Sequence, residues 1–266
     1  VGKGMIILTG HQGFIGKKFL KELQSLDKEI MTIEMLDSWY FQHTFDDWDD
    51  IELIIHQGAL SSTIETDVRK IYHRNIDFTL WLFESAAKHN IPVKYASSAS
   101  VYGNCQKVIN PLNFYALSKI TMDYWVQDNI SKFPLIQGFR YFNVYGDGEE
   151  FKGDQASPVS KFTKQIKETG KLKLFEGSDK FLRDFICVDD IVNVVLNNAK
   201  KSGIYDLGTS KPVSFEHVAE CVVRKYNGEV EYIPFPDHLK GKYQDYTCAT
   251  EEWGDYKFMT VEDYLK

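Results

Sequence analysis

No uninterrupted apolar run approaches the roughly 18 to 20 residues of a membrane-spanning helix, and no basic start followed by an apolar stretch marks export. The chain is therefore expected in the cytoplasm, without a membrane partner. Its four cysteines, Cys105, Cys187, Cys221 and Cys248, are widely separated and form no C-x-x-C pair. That excludes a zinc-finger pattern or a disulfide framework and leaves reduced thiols, with no metal indicated. Positive charge is in deficit, since 31 Lys and Arg against 38 Asp and Glu give a formal net charge of -7. The balance argues against nucleic acid as a partner, while a small anion can still be held by a local cluster of cations. No internal repeat, low-complexity tract or long linker is present. What remains is 266 residues, 43% hydrophobic and 26% charged, which suit one large α/β domain or a nucleotide domain with a smaller lobe. Positions 1–4, before Met5, read as a tag scar.

Met5–Thr9 is a short run of apolar and branched residues closed by Gly10, and 14–26 spaces apolar residues at Phe14, Ile15, Phe19, Leu20 and Leu23. Strand, glycine turn and helix follow in that order. Segments 30–34, 52–56, 93–98 and 135–142 read as further buried strands, with helices near 67–89 and 115–131. Such alternation implies a parallel sheet covered on both faces. Beyond Asn143 the rhythm loosens into helices near 158–168, 189–199 and 215–226 and short strands near Lys173, Phe185, Tyr205 and Tyr232. The expected fold class is α/β, a Rossmann-type doubly wound parallel sheet with a smaller α/β C-terminal substrate lobe. Residues 5–143 form the dinucleotide-binding domain, 183–200 return to it, and 144–266 are mainly the substrate-binding lobe.

Gly10-His11-Gln12-Gly13-Phe14-Ile15-Gly16 places glycines at relative positions one, four and seven. Gly10 permits a tight turn, Gly13 lets the backbone approach a pyrophosphate, and Gly16 lets the helix pack against the sheet. The first helical turn then offers its amides and dipole to the phosphates. Glu34, at the end of the second strand, can accept the ribose hydroxyls of an adenosine and would repel a 2′-phosphate, which slightly favours NAD over NADP. Asp37 is close enough to compete for that role. Gln57, Gly58, Ala59, Leu60 and Ser61 follow the third strand and can pass the same pyrophosphate, or form a plain polar loop. Asn75 is read at the start of an amphipathic helix, either as its cap or as a contact near the nicotinamide.

Tyr115 and Lys119 lie four residues apart and share a helix face, so the ammonium is expected to lower the phenol pKa and ready it to take a proton from a sugar hydroxyl. Ser98, at the carboxyl end of the fourth strand, can hydrogen-bond the reacting oxygen. With the glycine loop, these residues resemble the extended short-chain dehydrogenase/reductases, in their nucleotide-sugar epimerase branch. Gly138-Phe139-Arg140-Tyr141-Phe142-Asn143-Val144-Tyr145-Gly146, Phe175-Glu176-Gly177-Ser178, Arg183-Asp184-Phe185 and Glu231-Tyr232-Ile233-Pro234-Phe235-Pro236, running into Lys240-Gly241-Lys242-Tyr243-Gln244, narrow the resemblance to the ADP-L-glycero-D-manno-heptose 6-epimerase family.

That resemblance implies a tightly bound NAD or NADP, held by Phe14, Ile15, Glu34, the 57–61 loop, Asn75 and Lys119. It implies Tyr115 as one catalytic acid/base with Ser98 beside it, and Lys152 as a second. Asn143, Phe175, Glu176, Gly177, Ser178, Arg183 and Tyr243 then hold a nucleotide-sugar substrate, and a homo-oligomer is expected. Arg183 can bind phosphate bidentately or form a salt bridge with Asp184. Asp154 and Lys161 stand where the family has a serine and a histidine near the substrate. After Glu34 the connection to the third strand is shorter than the family's and lacks its basic residues, which leaves NAD and NADP both open. Ala99 and Ser100 occupy the places of the Asp-Glu pair of related dehydratases. The other readings are a UDP-hexose 4-epimerase, a nucleotide-keto-sugar reductase, or an inactive dinucleotide-binding regulator.

Overall fold

Ile6, Ile7 and Leu8 are fully enclosed, and they make β1 (Met5–Thr9) an inner strand. The structure, a computed structural model, describes residues 4–105, 107–237 and 244–266, with the side chain of Asp154 excepted. The chain continues through α1 (Phe14–Ser25), β2 (Glu29–Ile33), α2 (Ser38–Thr44), β3 (Ile51–His56), α3 (Val68–Ile71), α4 (Phe78–Lys88), β4 (Val93–Ser98), α5 (Phe114–Asn129) and β5 (Ile136–Tyr141). It then forms β6 (Asn143–Tyr145), α6 (Pro158–Thr169), β7 (Lys171–Phe175), β8 (Leu182–Arg183), β9 (Phe185–Cys187), α7 (Val188–Asn197), β10 (Gly203–Leu207), β11 (Val213–Ser214), α8 (Phe215–Tyr226), β12 (Glu229–Ile233) and α9 (Val261–Tyr264). Two compact units result. One comprises Val1–Val101, Pro111–Arg140 and Val192–Tyr205, and the other Tyr102–Asn110, Tyr141–Ile191 and Asp206–Lys266.

The central six-stranded sheet has the order β2-β1-β3-β4-β5-β10, and the ladders β1–β2, β1–β3 and β3–β4 run parallel. This is the α/β Rossmann-type sheet expected from the sequence. Strand order reverses between β1 and β3, so their carboxyl ends open the crevice where doubly wound sheets take ligands. Gly10 leaves β1 there and Gln57 leaves β3.

Two segments depart from the expected pattern. The short connection after Glu34 forms α2, whose Phe41 packs edge-on against Trp48 and Trp81 while Phe45 stacks on Phe41. Aromatic burial, about 1.5 to 3 kcal/mol per side chain, holds a helix that intrinsic propensity does not favour. The single helix expected over 67–89 is divided by a π-helical turn, Tyr72–Asp77. Its cap is Asp67, which accepts the Arg69 and Lys70 amides, so Asn75 is inside the segment and does not cap it.

In the second unit, Tyr145, Val159, Ile166, Leu172, Leu174, Val218, Val222 and Val261 form the core. Ser157 caps α6 through the Ser160 amide with Pro158 in its first turn, and left-handed Gly170 ends it. Strand β7 pairs parallel with β12, β6 parallel with β9, and β8 antiparallel with β11.

Candidate active site

At the β1–α1 turn, Gly10 has φ +70°, and a Cβ there would lie 2.6 Å from the Gly58 backbone. A Cβ on Gly16 would meet the Gly10 carbonyl oxygen at 2.0 Å. Only glycine permits this contact between the two loops and the start of α1. Gly13 caps α1 in extended conformation without a side-chain acceptor, and the first turn, with Phe14 and Ile15, carries no acidic residue. The helix dipole at that end is left for an external anion, and the cradle fits a dinucleotide pyrophosphate. Glu34 Oε1 accepts the Gln12 amide at 2.7 Å and lies 3.2 Å from His11 Nδ1. Asp37 instead faces the Glu34 amide at 3.4 Å, so Glu34 is the acid against the glycine loop.

The loop after β3 is held by two devices. Asn75, buried in the π-helical turn, accepts the Leu60 amide at 2.8 Å, donates to the Leu60 carbonyl at 3.0 Å and donates to Ser118 Oγ at 3.0 Å. Ser118 donates in turn to the Tyr115 carbonyl at 2.7 Å, which links the loop holding Ala59, Leu60 and Ser61 to the first turn of α5. Beneath Gly58, Thr9 Oγ1 accepts the Gly58 amide at 3.0 Å and meets His56 Nδ1 at 2.7 Å, while His56 Nε2 meets Thr79 Oγ1 at 2.9 Å. Burial first, and the nearby Lys119 charge second, push the His56 pKa down to about 3, so the ring is neutral.

Helix α5 is started by Asn113, whose side chain accepts the Ala116 amide at 2.8 Å. It presents Tyr115, Lys119 and Asp123 at successive i+4 positions to β4. The Ser98 side chain lies close enough to the Tyr115 phenol to act on its pKa. Lys119 Nζ, with the residue only 8% exposed, donates to the Ala96 carbonyl at 2.7 Å and lies 5.8 Å from the Tyr115 ring centroid. Burial raises the Tyr115 pKa and Ser98 pulls it down. Contrary to the sequence expectation, the Tyr115 pKa is raised overall, and Lys119, whose ammonium is directed to the Ala96 carbonyl, does not lower it. Burial also lowers Lys119 to about 8, against the pull of Asp123.

In the second unit, Lys152 lies in a 3-10 segment, Glu150–Gln155, that is bent at Gly153. Burial lowers its pKa, Glu149 raises it, and Lys161 lowers it. Glu149 is itself buried and accepts the Ser157 amide at 2.7 Å and hydroxyl at 2.6 Å, which ties this segment to the start of α6. Asn143 donates its amide to the Asp184 carbonyl at 3.0 Å and accepts from Thr247 Oγ1 at 3.1 Å. Ser178 donates to the Phe175 carbonyl at 2.6 Å, and left-handed Gly177, φ +79°, follows Glu176 in the same turn. Arg183 is buried, donates to the Leu182 and Gln244 carbonyls, and has its guanidinium 5.2 Å from the Phe215 ring centroid. The Asp184 carboxylate holds the amides of Thr209, Ser210 and Ala249 instead. Tyr243 and the Asp154 side chain lie outside the described residues, as do positions 1–3 of the N-terminal stretch.

Sequence reading missed Ser118, His56, Asp123 and Glu149. Asp123 had a signal, since it continues the i+4 series of Tyr115 and Lys119, but its strand partners Tyr95, Ser97 and Arg140 are not adjacent in sequence. Among the described residues no cluster of metal-ligating side chains occurs, and no helix is long and apolar enough to cross a membrane.

An ADP-L-glycero-D-manno-heptose-6-epimerase of Alkalilimnicola ehrlichii is 36% identical to this chain, covering 92% of it and 88% of the relative. The crystal structure of the Helicobacter pylori ADP-L-glycero-D-manno-heptose-6-epimerase superposes with a TM-score of 0.86 at 25% identity, covering 99% of this chain and 94% of that one. The Thermus thermophilus UDP-glucose 4-epimerase, solved in complex with NAD, shares the fold with a TM-score of 0.77 at 19% identity, over 92% and 90% of the two chains. The NAD dependent epimerase/dehydratase family matches residues 6–208, and with these relatives that places the chain in the family.

Proposed function

We propose that the protein is a nucleotide-sugar epimerase that inverts carbon six of ADP-glycero-manno-heptose by transient oxidation. The observation that carries this reading is helix α5, which sets Tyr115 against Ser98 and one turn before the buried Lys119. The 36% identical epimerase supports the choice of sugar over the UDP-hexose alternative. The same residues favour an enzyme over an inactive dinucleotide-binding regulator.

When bound in the glycine cradle, NAD(P) supplies an acceptor that takes hydride from the sugar carbon and returns it, with no net redox. The chain's residues manage the protons and the substrate. Tyr115 takes the proton of the sugar hydroxyl, with Ser98 hydrogen-bonded to the same oxygen. Lys152, lowered by burial, serves as the second acid/base after the keto group has turned over. Asn143, Asp154, Lys161, Phe175, Glu176, Gly177, Ser178, Arg183 and Tyr243 hold the nucleotide sugar. Gly10, Gly13, Phe14, Ile15, Gly16, the 57–61 loop and Asn75 shape the dinucleotide site. Glu34, already anchored on the Gln12 amide, puts negative charge where a 2′-phosphate would sit, and NAD is the preferred form. The protein works in the cytoplasm as a homo-oligomer. Support for the last point comes from the exposed apolar face of Val68, Tyr72, Phe114, Leu117 and Tyr124 on α3, the π-helical turn and α5.

Tyr115→Phe tests the reading. Epimerisation is expected to fall about 10²- to 10⁴-fold while the cofactor stays bound, and full activity in that variant would remove Tyr115 from the chemistry.

A further inference from the structure

One turn beyond Lys119 on α5, and itself given no contact with cofactor or substrate, is a buried carboxylate. Asp123 is 0% exposed, and it accepts Tyr95 Oη at 2.9 Å, Ser97 Oγ at 2.9 Å and Arg140 Nε at 2.9 Å. Tyr95 and Ser97 flank Ala96, whose carbonyl holds the Lys119 ammonium. Tyr115 lies by Ser98, Lys119 reaches the Ala96 carbonyl, and Asp123 reaches the hydroxyls on either side of Ala96. Gly138 on β5 is part of the device, because a Cβ there would lie 2.4 Å from the Tyr95 ring and hydroxyl that reach Asp123.

We infer that Asp123 is a positioning residue that, through its fixed hydrogen bonds to β4 and β5, sets a buried carboxylate one helical turn from Lys119 and seats the Lys119 ammonium behind Tyr115. This deepens the epimerase reading and rests on it for the role of Tyr115. The charged and titratable groups around Lys119 leave Asp123 as its one nearby anion among the described residues. On its own helix the neighbour is Tyr115. From β3 comes His56, which burial keeps neutral. From β4 comes Tyr95, whose phenol is pushed well above its ordinary value by burial and by Asp123. From β5 comes Arg140, paired with Asp123 at 2.9 Å. From the π-helical turn, Asn75 faces α5 without charge, Arg74 is half-buried, and Tyr72, His73 and Asp77 are exposed. Burial thus opposes the Lys119 charge, and Asp123 opposes burial.

The test compares the parent with Asp123→Asn, which keeps the shape and removes the charge. Lys119 titration is followed by heteronuclear NMR in lysine-labelled protein without cofactor, and the pH profile of turnover in the loaded enzyme. Lys119 is expected to titrate at least about one unit lower in the variant, and the alkaline limb of the profile moves down with it. Tyr95→Phe removes a hydrogen bond and no charge, so it lowers the melting temperature and leaves both limbs in place. Should Asp123→Asn fold poorly, Asp123→Glu keeps the charge and is expected to retain the parent titration with reduced turnover. An unchanged Lys119 titration in Asp123→Asn, or an equal shift in Tyr95→Phe, would overturn the inference. Loss of the epimerase reading would show separately, as a Tyr115→Phe variant with full activity.

Discussion

At the scale of single residues, the burial of His56 makes a prediction about acid. Its folded pKa is near 3 and its unfolded value is 6.5, so between them the unfolded chain binds a proton that the folded chain refuses. Stability is therefore complete above about pH 6.5 and is lost as pH falls toward about 3. Melting temperature measured across that window should decline in the parent. In His56→Gln, which keeps a donor and an acceptor, it should start lower and decline less. Equal slopes would mean that another group governs the acid response. Lys152→Met should cost activity without moving this stability curve, because Lys152 belongs to the second unit's 3-10 segment and the role proposed for it is proton transfer.

At the scale of elements, the glycine cradle is the part most exposed to a single methyl group. Gly16→Ala would put a Cβ 2.0 Å from the Gly10 carbonyl oxygen, so α1 must shift away from the turn. Cofactor affinity, measured by calorimetry, should drop at least tenfold, or about 1.4 kcal/mol, and unchanged affinity would show that the cradle does not hold the dinucleotide. The sequence made this element legible because its glycine spacing follows from backbone contacts alone. The strands were legible too, often within a residue, since buried branched runs such as Ile51–His56 carry their own signal. Helix α2 was not, because Ser38–Thr44 is rich in aromatic residues that favour strands and is stabilised by Trp48 and Trp81 from outside it. The π-helical turn was invisible for a different reason. One added residue per turn leaves the apolar periodicity nearly intact while it brings Asn75 round to Leu60 and Ser118.

At the scale of the whole molecule, what stayed hidden in the sequence is what depends on strand order. Tyr115 and Lys119 announced themselves by spacing, whereas Asp123 meets Tyr95, Ser97 and Arg140 only once β4 and β5 are neighbours. On α5, Leu117 and Tyr124 are apolar side chains left exposed. Light scattering after size-exclusion chromatography should report an oligomer, and a Leu117→Glu, Tyr124→Glu double variant should run as a monomer. A parent that is monomeric at working concentration would remove the oligomer from the proposal. The central claim is tested most directly by incubating the purified protein with ADP-D-glycero-D-manno-heptose, without added oxidant or reductant, and following both epimers by NMR. The account predicts approach to a mixture of the two C6 epimers with no stoichiometric change in NAD(P)H. Turnover of UDP-hexoses alone, or product formed only as NADPH is consumed, would contradict it.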